Sequence, residues 1–113
     1  MFARLMGLST ISPRDVYELL DHGGVTAIDV NSRQSWITAR VPGALNLDPV
    51  AYTEGDLPAD KSTALVFYYS NPLCRKAPNA ARRATAMGYT HVQVMSAGIS
   101  GWLSADLPTQ TGG

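Results

Sequence analysis

The residues of this sequence best suited to take part in a chemical reaction lie together, in the run Cys74-Arg75-Lys76. Cys74 is the single cysteine, so no internal disulfide can form and one thiol is left for chemistry. Positive charge beside a thiol favours the thiolate, which is the form that attacks a substrate. Cys74 is therefore a candidate nucleophile. The alternative is a small apolar side chain that fills space beneath a loop, because free cysteines are commonly buried.

The same run belongs to a predicted loop that is suited to binding an anion. It follows residues 64–69 (ALVFYY), an apolar and aromatic run typical of a buried strand, and Pro78 suits the first turn of a helix after it. Backbone N–H groups that curl into a helix N-terminus attract negative charge. The alternative is that both cations of the loop simply point into water. The residues expected to hold an anionic ligand share this stretch: Ser70, Asn71, Leu73, Arg75, Lys76 and Ala77.

Strand and helix patterns alternate along the chain and must position this loop. Short apolar, β-branched runs predict strands at residues 25–30, 44–47, 64–69 and 91–95. Helical spacing and start signals predict helices at residues 13–22, at 32–38, from Pro78 to Gly88, and at 98–104. Such alternation implies a parallel sheet with right-handed crossovers. Ligands of these sheets bind beyond the carboxyl ends of the strands, which is where the loop after residue 69 begins.

Other polar residues are assigned supporting roles or none. Asp29 ends a predicted strand and is expected to lie at the same edge, in a supporting position. His22 and His91 are distant from Cys74 in sequence and share no ligand spacing with it, so we predict no metal site and no cofactor. Ser70 has neither a nucleophile-elbow pattern nor an evident histidine base, which argues against a serine hydrolase.

Length and composition describe one small globular domain, with a core over about residues 10–108. Apolar residues make up 45% of the 113 residues and charged residues 16%, and no run of about 20 apolar residues is present to cross a membrane. Nine basic residues balance nine acidic ones, so we expect neither nucleic acid nor a membrane surface as partner. Because residues 1–9 lack the pattern of a secretory signal, we predict a soluble, cytoplasmic protein.

Taken together, four blocks of the sequence resemble the rhodanese family over about residues 10–108. The first is similar to the end of the family's opening strand and its first helix. The second block resembles the D-V-R and G-H-I-P-G-A-x-N signatures. The third resembles the family's central strand, active loop and following helix. The fourth resembles the closing stretch, with its G-[FY], G-G-x-x-x-W and L-P motifs. In this sequence the four blocks are residues 11–20, residues 28–46 with IDV and ARVPGALN, residues 66–81, and residues 88–108 with GY, AGISGW and LP.

The resemblance implies an α/β fold of the rhodanese type, with a central, mainly parallel five-stranded sheet flanked by helices on both faces. It also implies the sulfurtransferase class. In that class a cysteine at the end of the central strand takes a sulfane sulfur from a small anionic donor such as thiosulfate, holds it as a persulfide and passes it to a thiol acceptor. Tyr69 stands at that position here. A phenol is a poor nucleophile at neutral pH and cannot form a persulfide, so the expected activity is weak or absent.

Further departures from the family pattern affect the expected substrate more than the fold. Asn31 stands where an arginine often follows D-V, Arg40 replaces a histidine, and Ala97 replaces a glycine. Cys74 matches a second loop cysteine that some rhodanese-like domains carry, and it is the candidate for residual sulfur transfer. Five residues separate Tyr69 from Arg75, which resembles the C-x5-R loop of rhodanese-fold phosphatases and arsenate reductases.

Three other functions stay open at this point. One is a non-catalytic regulatory module that uses the basic loop to bind an anion or a protein partner. The second is a relative of the rhodanese-fold phosphatases and arsenate reductases. The third is a redox role for Cys74, since an exposed thiolate oxidises readily.

Overall fold

The structure, a computed structural model, describes residues 7–113. Residues 1–6, on which the expectation about a secretory signal partly rests, lie outside this range. Within it, no helix has the length and apolar character needed to cross a membrane. The elements in chain order are β1 (Ser9–Thr10), α1 (Pro13–Asp21), β2 (Thr26–Asp29), α2 (Arg33–Thr38), β3 (Leu45–Asn46), a 3-10 turn (Glu54–Asp56), β4 (Leu65–Tyr68), α3 (Lys76–Ala86), β5 (Val92–Val94) and α4 (Gly98–Ser104).

The strands form one five-stranded sheet in the order β1-β5-β4-β2-β3, and each neighbouring pair is parallel. The central strand β4 is buried along its whole length, which explains its continuous run of apolar and aromatic residues. In the register of the sheet, Asp29 at the end of β2 lies beside Tyr68 on one side and Asn46 on the other. The predicted α/β class and mainly parallel sheet are therefore confirmed.

Helices cover both faces of the sheet and form two separate cores. On one face α3 lies against the sheet through a row of small side chains, of which Ala80, Ala81 and Ala84 are fully buried. On the other face the core is made by α1 and α4, through Val16 and Trp102. The small residues of α3 let its start come close to the carboxyl end of β4, and this approach positions the loop between them.

The predicted boundaries needed correction at the loop. We predicted that the central strand extends to Tyr69, but it ends at Tyr68, because the Tyr69 carbonyl accepts the N–H of Ile99 in α4 instead of a ladder bond. We placed Lys76 in the loop, but it is the first residue of α3, so the loop ends at Arg75. Pro78 falls in the first turn, where its missing N–H costs nothing. The other predicted helices and strands match or differ by one or two residues at their ends.

Candidate active site

The loop of residues 69–75 lies at the carboxyl edge of the sheet, between the starts of two helices. Its first two residues are held by α4: the N–H groups of Ile99 and Ser100 donate to the carbonyls of Tyr69 and Ser70, at 2.9 and 3.0 Å. Its last residue, Arg75, is the N-cap of α3. The loop therefore connects the central strand to one helix N-terminus while its beginning rests on another.

Gly98, the first residue of α4, allows this close contact. Its φ is +64°, and a Cβ atom at this position would lie 2.5 Å from the carbonyl oxygen of Tyr69 and 2.6 Å from the carbonyl carbon of Ser70. Carbon atoms do not approach backbone atoms so closely, and the positive φ itself disfavours a side chain. Only glycine fits here without moving the loop.

Tyr69 is half-buried, and its ring packs beside the core on the α3 face of the sheet. The Lys76 ammonium lies 4.9 Å from the centroid of this ring and 3.5 Å from its hydroxyl oxygen. A cation over an aromatic ring is attracted by the ring's electron density. The phenol thus pairs with a cation that we predicted to hold an anion.

Cys74 lies immediately before the N-cap of α3 and is partly exposed. The side chain of Arg75 does not cap the helix, and the first intrahelical bond runs from the Asn79 N–H to the Arg75 carbonyl at 2.9 Å. The N–H groups of Lys76 and Ala77 lie ahead of that bond, where a helix offers them no acceptor of its own. Cys74 is therefore placed next to a helix start that favours negative charge.

The tip of the loop is shaped by its own side chains. Asn71 accepts the Leu73 N–H on its Oδ1 atom at 2.9 Å, which is a local turn typical of asparagine. The Leu73 side chain is 72% exposed. Among the predicted anion-binding residues, Ala77 differs because its side chain is buried in the α3 core and only its backbone faces the loop. In this geometry the N–H of Leu73 is directed at Asn71.

A buried polar network joins the end of β2 to this loop. Asp29 is fully buried, and its Oδ1 atom accepts the backbone and side-chain N–H groups of Asn31 at 2.7 and 2.9 Å. Its Oδ2 atom accepts the Tyr68 hydroxyl at 2.8 Å. The Ser70 hydroxyl in turn donates to Asn31 Oδ1 at 2.6 Å. Our sequence analysis noted Asn31 only as a departure from the family pattern and missed this role; its position two residues after Asp29 was the available signal.

Burial changes the proton affinity of this network. It raises the pKa of the Asp29 carboxyl, although hydrogen bonds from Asn31 and Tyr68 and the charge of Arg40 oppose the change. Burial also raises the pKa of the Tyr68 phenol, and the negative charge of Asp29 adds to this effect. The Tyr68 phenol therefore stays protonated at neutral pH, so its hydroxyl keeps its hydrogen bond to the Asp29 carboxyl group.

Two depressions flank the loop. The larger, of about 440 Å³, lies on the side of β2 and β3, and Asn31, Arg33 and Lys76 are among its lining residues. The smaller, of about 260 Å³, has Ser70 and Leu103 in its lining. Of these two depressions, only the smaller includes a residue of the loop itself, Ser70, in its lining.

Within residues 7–113, no three or more His, Cys, Asp or Glu residues are grouped so that they could hold a metal ion. The two histidines are exposed and engaged locally. His22 Nδ1 lies 2.9 Å from the Glu18 carbonyl oxygen, and His91 Nδ1 lies 3.0 Å from the Thr90 hydroxyl.

The family model of the rhodanese-like domain matches residues 12–105. The chain belongs to the rhodanese-like family. A thiosulfate sulfurtransferase, GlpE of Haemophilus influenzae (strain PittEE), is 26% identical over 107 residues, which are 94% of this chain and 98% of that protein.

Solved structures support the same fold. The BH2092 protein of Bacillus halodurans superposes with a TM-score of 0.83 at 18% identity, covering 96% of this chain and 80% of that one. The rhodanese-like domain of Alr3790 from Anabaena sp. gives a TM-score of 0.73 at 19% identity, covering 90% and 78%. The predicted family and fold are confirmed.

The departures of this rhodanese-like domain from the family pattern have different structural meanings. Tyr69 places a phenol at the start of the loop, and Asn31 ties the loop to Asp29. Arg40 is a structural residue: it is buried, its guanidinium lies 3.8 Å from the centroid of the Trp36 ring, and it donates to the carbonyls of Trp36 and Gly112. Ala97 is the N-cap residue of α4 with a φ of −62°, a conformation that any residue adopts, so the position does not require glycine.

Proposed function

We propose that this rhodanese-like domain is a sulfurtransferase of low activity in which Cys74 carries the sulfur. The observation that carries the proposal is the distribution of side chains in the loop. The phenol of Tyr69 directly follows the central strand, and the single thiol of the chain lies partly exposed beside the start of α3. The match to a protein named thiosulfate sulfurtransferase supports a thiosulfate-like donor.

The proposed reaction has two balanced steps. The Cys74 thiolate attacks the outer sulfur of thiosulfate, a sulfur–sulfur bond forms on Cys74, and the bond within the donor breaks as sulfite leaves with its electron pair. A thiol acceptor, or cyanide in an assay, then takes the outer sulfur of the persulfide and returns Cys74 to the thiolate. We propose that Arg75 and the N–H groups at the start of α3 hold the anionic donor. A single free thiol suits the reducing cytoplasm, where we propose that the domain works.

Low activity follows from the position of the thiol and from its neighbours. Cys74 lies at the far end of the loop from β4, just before the N-cap of α3. Lys76 is paired with the Tyr69 ring, so an incoming anion competes with that contact. For these two reasons we expect the anionic donor to be bound weakly at Cys74.

Mass spectrometry after incubation with thiosulfate tests the proposal directly. We expect a gain of one sulfur atom on the peptide that contains Cys74, and loss of this gain after treatment with cyanide. Cys74→Ser is the matched control because it keeps the size of the side chain and removes the thiol. An unmodified Cys74 under these conditions, or turnover of thiosulfate and cyanide by Cys74→Ser, would contradict the proposal.

A second function is favoured by the same tyrosine. With a phenol at the end of β4, the loop can bind an anion without reacting with it, which describes a regulatory rather than a catalytic module. In that case sulfate or phosphate stabilises the folded chain by RT ln(1 + [L]/Kd) and thereby raises its melting temperature. This function requires that Cys74 stays unmodified by thiosulfate while the stabilisation by sulfate is lost in Lys76→Gln.

A further inference from the structure

The basic residues of the chain are concentrated in one stretch that contains no acidic residue. Residues 61–105 hold five of the nine basic residues and none of the nine acidic ones. The five are Lys61, Arg75, Lys76, Arg82 and Arg83. Lys61 lies at the end of α3, where it pairs with Glu54 at 2.9 Å and donates to the Met87 carbonyl. The other four belong to the N-cap and the body of α3. The net charge of zero thus combines a basic segment with acidic residues elsewhere.

In the structure, the four cations of α3 lie on the side of the helix that faces away from the sheet. The alanines of the opposite side are buried in the core, whereas Lys76, Asn79 and Arg82 are exposed. We call this exposed side the α3 face. It is formed by Arg75, Lys76, Asn79, Arg82, Arg83 and Ala86. Lys76 and Arg82 are six positions apart, which is about 9 Å along a helix axis.

The charges of the α3 face do not serve the stability of the helix itself. Cations near a helix N-terminus are disfavoured by the helix dipole, and α3 has no acidic residue at the spacing that would pair with them. The helix α1 differs, because Asp15 lies in its first turn and Glu18 and Asp21 follow on its exposed side. Since α1 packs on the other face of the sheet, its acidic residues do not neutralise the α3 face of the same molecule.

The sign and the extent of this charge indicate the chemistry of a partner. A row of exposed cations attracts and orients a surface of opposite charge. A protein segment meets this requirement with a few acidic side chains about 9 Å apart, the spacing of positions i and i+6 in a helix. Nucleic acid fits less well, because its dense phosphates are bound by strongly basic domains, and this chain has as many acidic as basic residues.

We propose that the α3 face is a docking surface for an acidic segment of a partner protein, with Lys76 and Arg82 as its main charged contacts. The face begins where the loop ends, so a segment bound along it reaches the residues beside Cys74. The inference goes beyond the proposed sulfur transfer and concerns binding alone. It requires no reaction at Cys74, and it is tested equally well in a Cys74→Ser chain.

The test is an NMR titration of the whole chain with a hexaglutamate peptide, at about 20 mM salt so that surface charges are little screened. We expect shift changes at the backbone N–H groups of Asn79 and Arg82, and binding that weakens at least about threefold at about 200 mM salt. A hexaglutamine peptide of the same length is the neutral control. Equal binding of hexaglutamine, equal or tighter binding of a uridine hexanucleotide, or shift changes confined to residues 70–75 would overturn the proposal.

Substitutions at exposed positions refine the test, each with a matched control on the other face of the sheet. Arg82→Gln should weaken hexaglutamate binding about two- to fivefold, as expected for one exposed ion pair, whereas Arg14→Gln in α1 should leave it unchanged. Asn79→Lys should strengthen binding by a similar factor, whereas Ser104→Lys at the end of α4 should not. Melting temperatures report whether each variant folds. Equal changes in a variant and its control, with both chains folded, would show a response to net charge alone and overturn the proposal.

The acidic side of α1 in a second copy of the chain is the alternative occupant of the α3 face. Sedimentation velocity of the native chain at about 20 mM salt distinguishes the two, because we expect a monomer when no peptide is present. Salt-sensitive self-association that Arg82→Gln abolishes would identify a second copy as the occupant and overturn the proposal of a different partner protein.

Discussion

The ends of β2 and β4 lie side by side at one edge of the sheet but hold the residues that follow them in opposite ways. After β2, Asn31 is buried and bonded to Asp29 through both its backbone and its side chain. After β4, Tyr69 and Ser70 are half-buried, and the three residues that follow are exposed. We therefore expect the end of β2 to maintain the fold, and the end of β4 to tolerate changes of its side chains at little cost in stability.

The largest expected effect is a gain of activity at the end of β4. Tyr69→Cys places a thiol where α4 holds the backbone of the loop, and we expect turnover of thiosulfate and cyanide to rise at least about 100-fold, because a thiol is a far better nucleophile than a phenol. Tyr69→Ser is the control, since it makes the same space without a thiol. If both variants show the same rate, the chemistry does not depend on this position and the contrast between the strand ends fails.

A smaller but still large effect is expected where the loop rests on α4. Gly98→Ala must displace the carbonyls of Tyr69 and Ser70 and should lower the free energy of unfolding by about 3 kcal/mol or more in urea titrations. The loss in Gly98→Ala has two causes, the positive φ and the close approach of backbone atoms, and Gly23→Ala has only the first. The φ of Gly23 is +67° but no atom lies within 4 Å of the new Cβ, so a loss of about 1 kcal/mol is expected. Equal losses in the two variants would show that the close approach at Gly98 has no energetic weight.

Tyr68 and Tyr69 are adjacent, but only the first is bonded to Asp29, so removing each hydroxyl in turn measures the contrast. Tyr68→Phe removes the hydroxyl that donates to Asp29 and accepts the Val41 N–H, and buried groups left without partners should cost about 1–3 kcal/mol of stability. Tyr69→Phe removes a half-buried hydroxyl whose contact with Lys76 is 3.5 Å long, and less than about 0.5 kcal/mol is expected. Chemical denaturation of both variants gives the difference. A larger loss of stability in Tyr69→Phe than in Tyr68→Phe would show that the loop after β4, and not the network around Asp29, maintains the fold.

The smallest expected effect is a pH dependence of stability at the end of β2. Folding raises the pKa of Asp29 above its ordinary 3.8, so its contribution is fully present below that value and declines as the pH rises through the raised pKa. The free energy of unfolding of the native chain, relative to Asp29→Asn, should therefore fall with rising pH from about 3.5 and then become constant. A difference that grows with pH in this window would mean that the hydrogen bonds to Asp29 outweigh its burial.

Much of the fold could be predicted because its signals are local. The apolar run of β4, the N-cap at Ser12 with Pro13 after it, and the alternation of strands with helices all depend on residues close together in the chain. The loop after β4 followed from the general rule that such sheets bind ligands at the carboxyl edge. The exact end of β4 could not be predicted, because the Tyr69 carbonyl is taken by Ile99, 30 positions later in the chain.

The amino-acid sequence is sufficient to predict the class of fold, the position of the candidate loop, and the presence of one phenol and one thiol in it. Only the tertiary structure decided how those side chains are used. It joined Asn31 to Ser70, set Lys76 over the Tyr69 ring, and placed Arg82 on the exposed side of α3. The physical reason is that periodicity and caps are properties of neighbouring residues, whereas hydrogen bonds and contacts between the ends of different strands depend on the register and packing of the whole sheet.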